Sequence, residues 1–238
     1  MEHNGRKAWP RELSEPLREV DRLRRSGRYT QALGRIRALA EAHPDQVRVL
    51  IELALTLGVW GRAPAEALVW FERVLELAPG HLATRFHHAL MLARLGRHAE
   101  AVAGFDTAEA GGFRKPLVLY MKRAESLEAL DRFAEAERDW TLALAEDPGN
   151  AWLLQRRAGA RARLGQVDAA IRDLSAALSS QAGDEVDAEL LHARAVLRAR
   201  AGDGVGARAD FEAGIAALRR GDPPGLLESL QEGLRETV

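Results

Sequence analysis

A small residue recurs along this chain at a nearly constant interval: Ala32, Ala67, Ala101, Ala136, Ala170 and Ala207, spaced 35, 34, 35, 34 and 37 residues apart. Such a period constrains the fold more than local propensity does, because each period is a supersecondary unit that buries its apolar face only against its neighbours. Four residues after each small position stands a bulky apolar side chain: Ile36, Phe71, Phe105, Trp140, Leu174 and Phe211. One helical turn separates the two columns, so both lie on one helix face. A turn residue precedes each small position by about five: Gly27, Gly61 (one residue further back), Gly96, Asp131, Gly165 and Gly202. Three periods close on Pro44, Pro79 and Pro148. Each period therefore reads helix, tight turn, helix, stop.

The first helix of each period carries its own small column, Val20, Ala54, Ala89, Ala124, Ala158 and Ala195. Two helices approach closely only where a small side chain admits a large neighbour. Three residues further on, Leu23, Leu57, Leu92 and Leu127 fill the contact, but Arg161 and Arg198 stand there in the last two periods. Those two periods are expected to pack less regularly.

Composition supports an all-helical reading. The chain of 238 residues is 47% hydrophobic and only 5% aromatic, and is rich in Ala, Leu, Arg and Glu, which lose least on entering a helix. With 34 basic and 35 acidic side chains, the net charge of −1 provides no global field to gather nucleic acid or an anionic membrane. Cysteine is absent, which removes disulfides, thiolate metal sites and a Cys nucleophile together. No run of about 18 apolar residues is present, so no membrane span is expected. The polar stretch Met1 to Glu12 lacks a signal-peptide core, and a cytoplasmic location is the default expectation.

Segments such as Leu95-Gly96-Arg97-His98-Ala99-Glu100-Ala101, Arg132-Phe133-Ala134-Glu135-Ala136 and Ala145-Glu146-Asp147-Pro148-Gly149-Asn150 resemble the tetratricopeptide repeat (TPR) family. The resemblance covers roughly residues 13 to 220. It implies a right-handed α-solenoid of six helix-turn-helix repeats, at 13–46, 47–81, 82–116, 117–150, 151–187 and 188–221. A polar tail, 1–12, would precede them. Departures are visible: Phe113 follows Gly111-Gly112 where Pro is usual, Arg62-Ala63-Pro64 lengthens the second turn, and Gly204 and Gly206 weaken the sixth unit. Beyond Asp222-Pro223, read as a helix cap and first helical residue, Leu226, Leu227, Leu230 and Leu234 have the spacing of one more helix. Over 222–238 this is expected to cap the sixth unit, since terminal repeats must shield an apolar face.

The resemblance also implies a concave face lined by the first helices. Counting back from the small column brings Ile51, Phe86, Met121 and Gln155 into one row, Val118 and Trp152 into another, and His87, Lys122 and Arg156 into a third. The expected peptide-binding groove is thus an apolar ladder of Ile51, Phe86, Val118, Met121 and Trp152 beside a basic rail of His87, Lys122 and Arg156, with Gln155 and Glu125 alongside. Apolar rungs supply area, Met adapts to irregular shapes, and cations catch a carboxylate. Family members that bind chaperone tails use a Lys/Asn carboxylate clamp. Its Asn partners are missing from the matching columns here, and Glu52 and Glu125 oppose it. An acidic or amphipathic protein segment is the expected partner.

Catalytic readings find no support. His87 and His88 are adjacent and diverge by about 100° around a helix, unlike the i, i+4 spacing of a metal pair. His98 falls in a packed column with Tyr29 and Phe133. Gly202-Asp203-Gly204-Val205-Gly206 follows a helix and lacks the Lys of a phosphate loop. No cofactor, catalytic residue or metal ligand is expected. Nucleic-acid binding is disfavoured by the neutral charge and by groove columns that change from unit to unit. The sequence points to a non-enzymatic adaptor or scaffold. Self-association through Trp60, Trp70 or the last helix, and service as a regulatory subunit of an enzyme complex, stay open.

Overall fold

The structure, a computed structural model, describes residues 11–180, 187–219 and 221–237. The tail assigned to 1–12 lies outside the described residues up to residue 10, as does part of the fifth repeat's end. Among the described residues there are thirteen α-helices and no strands. None of these helices is long and apolar enough to cross a membrane. The chain divides into two compact units, Met1–Arg114 and Lys115–Val238.

In the first unit, α1 (Arg11–Arg25) packs on α2 (Tyr29–Ala42), α3 (Val47–Leu55) on α4 (Pro64–Leu77), and α5 (Leu82–Arg94) on α6 (His98–Ala110). Val20, Ala32, Ala54, Ala67, Ala89 and Ala101 are wholly buried, as are Ile36, Phe71 and Phe105 opposite them. The closeness of these contacts is plain at Gly104, where a Cβ would stand 2.8 Å from that of Ala89.

The second hairpin departs from the others. Its two small residues, Ala54 and Ala67, are 13 residues apart, against 12 in the five other hairpins. The extra residue is absorbed inside the helix, as a π-helical turn over Thr56–Trp60, and the connection that follows is not lengthened. A π turn displaces carbonyls from the i→i−4 ladder. One of these, Gly58 O, accepts a 2.7 Å bond from Arg94 on α5. The left-handed turn position consequently moves from Gly61 to Arg62, whose φ is +52°.

In the second unit, α7 (Pro116–Glu128) packs on α8 (Phe133–Glu146), α9 (Ala151–Arg163) on α10 (Val167–Ser179), and α11 (Ala188–Arg200) on α12 (Gly204–Ala217). Two of the first helices begin at side-chain caps, where Asn150 accepts from Leu153 N at 3.1 Å and Asp187 from Glu189 N at 2.8 Å, and α7 begins on Pro116 instead. Gly165 and Gly202 take left-handed φ values at the hairpin turns, and Asp131 takes one of +56°. The last helix, α13 (Leu226–Glu236), lies over α12 and α11, with Leu226 and Leu230 buried in a cluster with Ala188, Ala195, Ala207 and Phe211. It starts three residues later than Pro223. Asp222 turns back to accept from Arg219 N, and Gly225, at φ +89°, precedes the first turn.

The irregular packing expected around Arg161 and Arg198 has a chemical resolution. Each reaches a buried carboxylate on its own second helix, Asp173 and Asp210 respectively, at 2.8 Å. These carboxylates belong to a series that column reading of the apolar residues passes over. Arg123 grips Asp139 through Nε and Nη2 at 2.7 and 2.8 Å, Arg157 grips Asp173 at 2.9 and 2.7 Å, and Arg194 grips Asp210 at 2.9 and 2.7 Å. Every pair is 16 residues apart and staples one hairpin shut. The first hairpin carries the same staple with its charges exchanged, Glu19 on α1 against Arg35 on α2 at 3.0 Å. The residues are legible once sought: each Arg immediately precedes the first-helix small residue, and each Asp the second-helix bulky one.

Candidate interaction surface

The residues named from the sequence do not share one environment. In the first unit, Ile51 and Phe86 are core side chains, 6% and 5% exposed. Phe86 stacks on Phe113 at 4.7 Å and meets Phe105 at 5.6 Å. Its ring therefore packs against both α6 and the loop that follows it. Open rungs of a ladder they are not. Half-buried His87 stacks on Phe71 at 6.0 Å and touches the edge of Phe86 at 5.3 Å, packing as an aromatic more than projecting as a cation.

The second unit keeps an open patch. Val118 on α7 and Trp152 on α9 are 37% and 41% exposed, and Met121 and Gln155 are half-buried. Trp152 is held edge-on against the buried Trp140 ring, with centroids 5.4 Å apart and planes at 85°. The Arg156 guanidinium lies 5.3 Å from the Trp140 centroid and 5.8 Å from that of Trp152. Both placements are within cation–π reach. Arg156 also makes an ion pair with Glu128 at the end of α7, and the same carboxylate accepts from Trp140 Nε1 at 2.7 Å. Glu128 thus gathers α7, α8 and α9. Burial raises its pKa, opposed by the Trp140 hydrogen bond and the Arg156 charge.

The rail is internally balanced. Lys122 Nζ donates to both oxygens of Glu125 at 2.9 Å. Like Arg156, it therefore brings its own carboxylate, and this stretch offers paired charges in place of a net positive strip. Sequence columns one position wide cannot reveal this. Glu125, three residues after Lys122, is the groove residue expected to oppose a clamp, whereas Glu128, six residues after it, lies on a row outside the expected groove.

Sequence reasoning missed a second charged group, in the first unit. Arg24 and Glu52 have side chains only 8% and 9% exposed and pair at 2.9 Å, and Arg48 pairs with Glu52 from one turn away. They line a cavity of about 500 Å³ with Ser14, Leu17, Arg18, Asp21 and Arg25. Arg24 escaped notice because its neighbour Leu23 was the apolar residue of that turn.

No protein-family model matches this sequence, and no curated protein matches it either. Solved structures do. PilW, a widely conserved type IV pilus biogenesis factor, is 19% identical, with 94% of this chain and 99% of that one covered at a TM-score of 0.72. YrrB, a TPR protein, is 16% identical over 82% of this chain and 97% of that one, with a TM-score of 0.69. MamA from Desulfovibrio magneticus RS-1 is 16% identical over 74% and 97%, with a TM-score of 0.66. The tandem hairpins with their small and bulky columns, and these likenesses, identify the fold of this chain as that of the tetratricopeptide-repeat proteins.

Proposed function

We propose that the chain is a non-enzymatic adaptor or scaffold that binds an acidic or amphipathic segment of a partner protein on its first helices. One observation carries the reading: Trp152 is half-exposed yet fixed against buried Trp140, with Arg156 across both rings. A rigid aromatic beside a guanidinium is the kind of anchor that dominates interface energies, because little rotamer entropy is lost when it is covered. Val118 and Met121 extend the apolar area. The pairing of Lys122 with Glu125 favours an amphipathic segment among these partners. An apolar side chain can cover Trp152 with no ion exchange, whereas a lone carboxylate must first displace Glu125 from Lys122. YrrB is described as having an unusual peptide-binding site, which supports seeking a peptide here.

The test is affinity capture from native lysate with three baits: wild type, Trp152→Ala and Lys122→Glu. A partner retained by wild type and lost by Trp152→Ala supports the reading. Identical sets from all three baits place binding elsewhere. Arg156→Glu is a poorer first choice, because it would set a second carboxylate against Glu128.

Self-association has its own supporting observation. Val59, Trp60 and Val69 are 39%, 50% and 60% exposed on the π turn and α4, which pack on each other in the first unit. Trp70 is half-buried. Light scattering coupled to size exclusion decides: a monomer at every concentration removes this alternative.

A further inference from the structure

The cavity between α1 and α3 carries more positive than negative charge. Among the described residues, four guanidiniums line it (Arg18, Arg24, Arg25 and Arg48) and two carboxylates, Asp21 and Glu52. The carboxylates are already engaged: Asp21 meets Arg25 at 2.9 Å and Arg24 at 3.4 Å, and Glu52 holds Arg24 and Arg48. Glu15, on the same helix, meets Arg22 at 2.8 Å and comes within 3.9 Å of Arg18. Arg24 is nine-tenths buried, donates to Thr56 Oγ1 at 3.4 Å, and keeps an Nε–H with no acceptor among the described residues. A guanidinium desolvated to this degree with a donor left over carries a free-energy penalty, and a surplus of positive charge around it adds to that penalty.

We propose that this cavity is an oxyanion subsite that takes a phosphate monoester. The surplus of two positive charges decides between candidate anions. A phosphate monoester concentrates about −1.5 to −2 charges and three acceptor oxygens in one tetrahedral group at neutral pH, whereas a single carboxylate would leave one guanidinium uncompensated. All four of these cations are arginines, whose planar forks bind oxyanions in a bidentate manner, and no lysine lines the cavity among the described residues. Arg18, Arg25 and Arg48 are half-exposed or more, so they can turn onto an incoming group without breaking the buried Arg24–Glu52 pair. The subsite lies wholly within the first unit and uses none of the side chains around Trp152.

The experiment is calorimetric titration at low ionic strength with inorganic phosphate, with a short Gly/Ser peptide bearing one phosphoserine, and with acetate as the singly charged control. Phosphate and the phosphopeptide are expected to bind at least tenfold more tightly than acetate. The Arg18→Gln/Arg48→Gln double variant should lose at least tenfold of that affinity while keeping the wild-type helical circular dichroism. This variant spares Arg24, so the buried pair and the fold survive. A phosphopeptide tighter than free phosphate assigns the group to a protein partner, and equal affinities assign it to a free phosphate compound. Acetate binding as well as phosphate, or a double variant with undiminished affinity, overturns the subsite. Trp152→Ala should leave phosphate binding unchanged, so failure here and failure of the partner-binding reading are separate results.

Discussion

A carboxylate sealed against a guanidinium is stable only while both are present, and the staples of the second unit provide a graded test of this. Asp139 is gripped by Arg123, the two side chains 5% and 9% exposed. Removing one partner of such a buried pair costs about 3–5 kcal/mol. Arg123→Ala should therefore lower the denaturation midpoint severely. Arg157→Ala should cost less, because Arg157 is less deeply buried than Arg123 and Arg161 still holds Asp173 at 2.8 Å. Urea melts of the two variants check the order, and equal losses would overturn it. Asp131 poses a different residue-scale question. It occupies a left-handed position that glycine fills in four other hairpins, at Gly27, Gly96, Gly165 and Gly202. Asp131→Gly is expected to stabilise by about 1 kcal/mol, less whatever its exposed 3.3 Å pair with Arg163 contributes.

The π turn and the last helix are the elements that depart most from a uniform repeat. Deleting Arg62 would restore the 12-residue spacing of the other hairpins and return Gly61 to the left-handed position. The variant should fold with Thr56–Trp60 as ordinary α-helix and melt no lower than the parent. A fall of several degrees would mean that the bond from Arg94 to Gly58 O stabilises the parent more than the π turn strains it. In α13, a Cβ at Gly233 would run into the Phe211 ring. Helix propensity alone favours Gly233→Ala by about 1 kcal/mol. Overpacking of about 1–3 kcal/mol should reverse that sign, and a thermal melt reads the difference directly. At this scale the sequence was legible where spacing carries the information: hairpin pairing, buried small and bulky columns, and the helix over α12 all follow from periodicity. It was illegible where an inserted residue can enter a helix or a turn alike, as at Thr56–Trp60. It was also illegible where a column faces partly inward. Phe86 lies in the same row as Met121, yet Phe113 makes it core while Met121 stays half-exposed. The paired charges of the candidate surface were hidden for a related reason. A cation's partner sits on another turn or another helix, and only coordinates bring Glu128 to Arg156.

Across the whole molecule, titration of buried imidazoles sets the response to acid. Burial lowers the pKa values of His81, His88 and His192 below the ordinary histidine value of 6.5. Arg48 adds to the effect at His81, and Glu72 opposes it at His88. The folded state therefore prefers neutral imidazole. The stability that follows is fully present above pH 6.5 and is lost as pH falls through the lowered folded values. Glu128 works in the opposite sense, since its raised pKa makes the folded state gain relative stability only as the pH drops toward the carboxylate range. The melting temperature should accordingly fall between pH 7.5 and 5.5, and His88→Gln together with His192→Gln should flatten that slope. An unchanged slope would assign the acid response to other groups. The exchanged staple of the first hairpin matters before the fold is complete. While the chain is still collapsing, α1 could lay its small column against any second helix, since all of them present the same apolar face. Against α8, α10 or α12 it would press Glu19 toward Asp139, Asp173 or Asp210, a repulsion that only α2, with Arg35, turns into attraction. The opposite polarity of that one pair, exposed as it is, thus tilts the opening helix toward its own partner and away from those three.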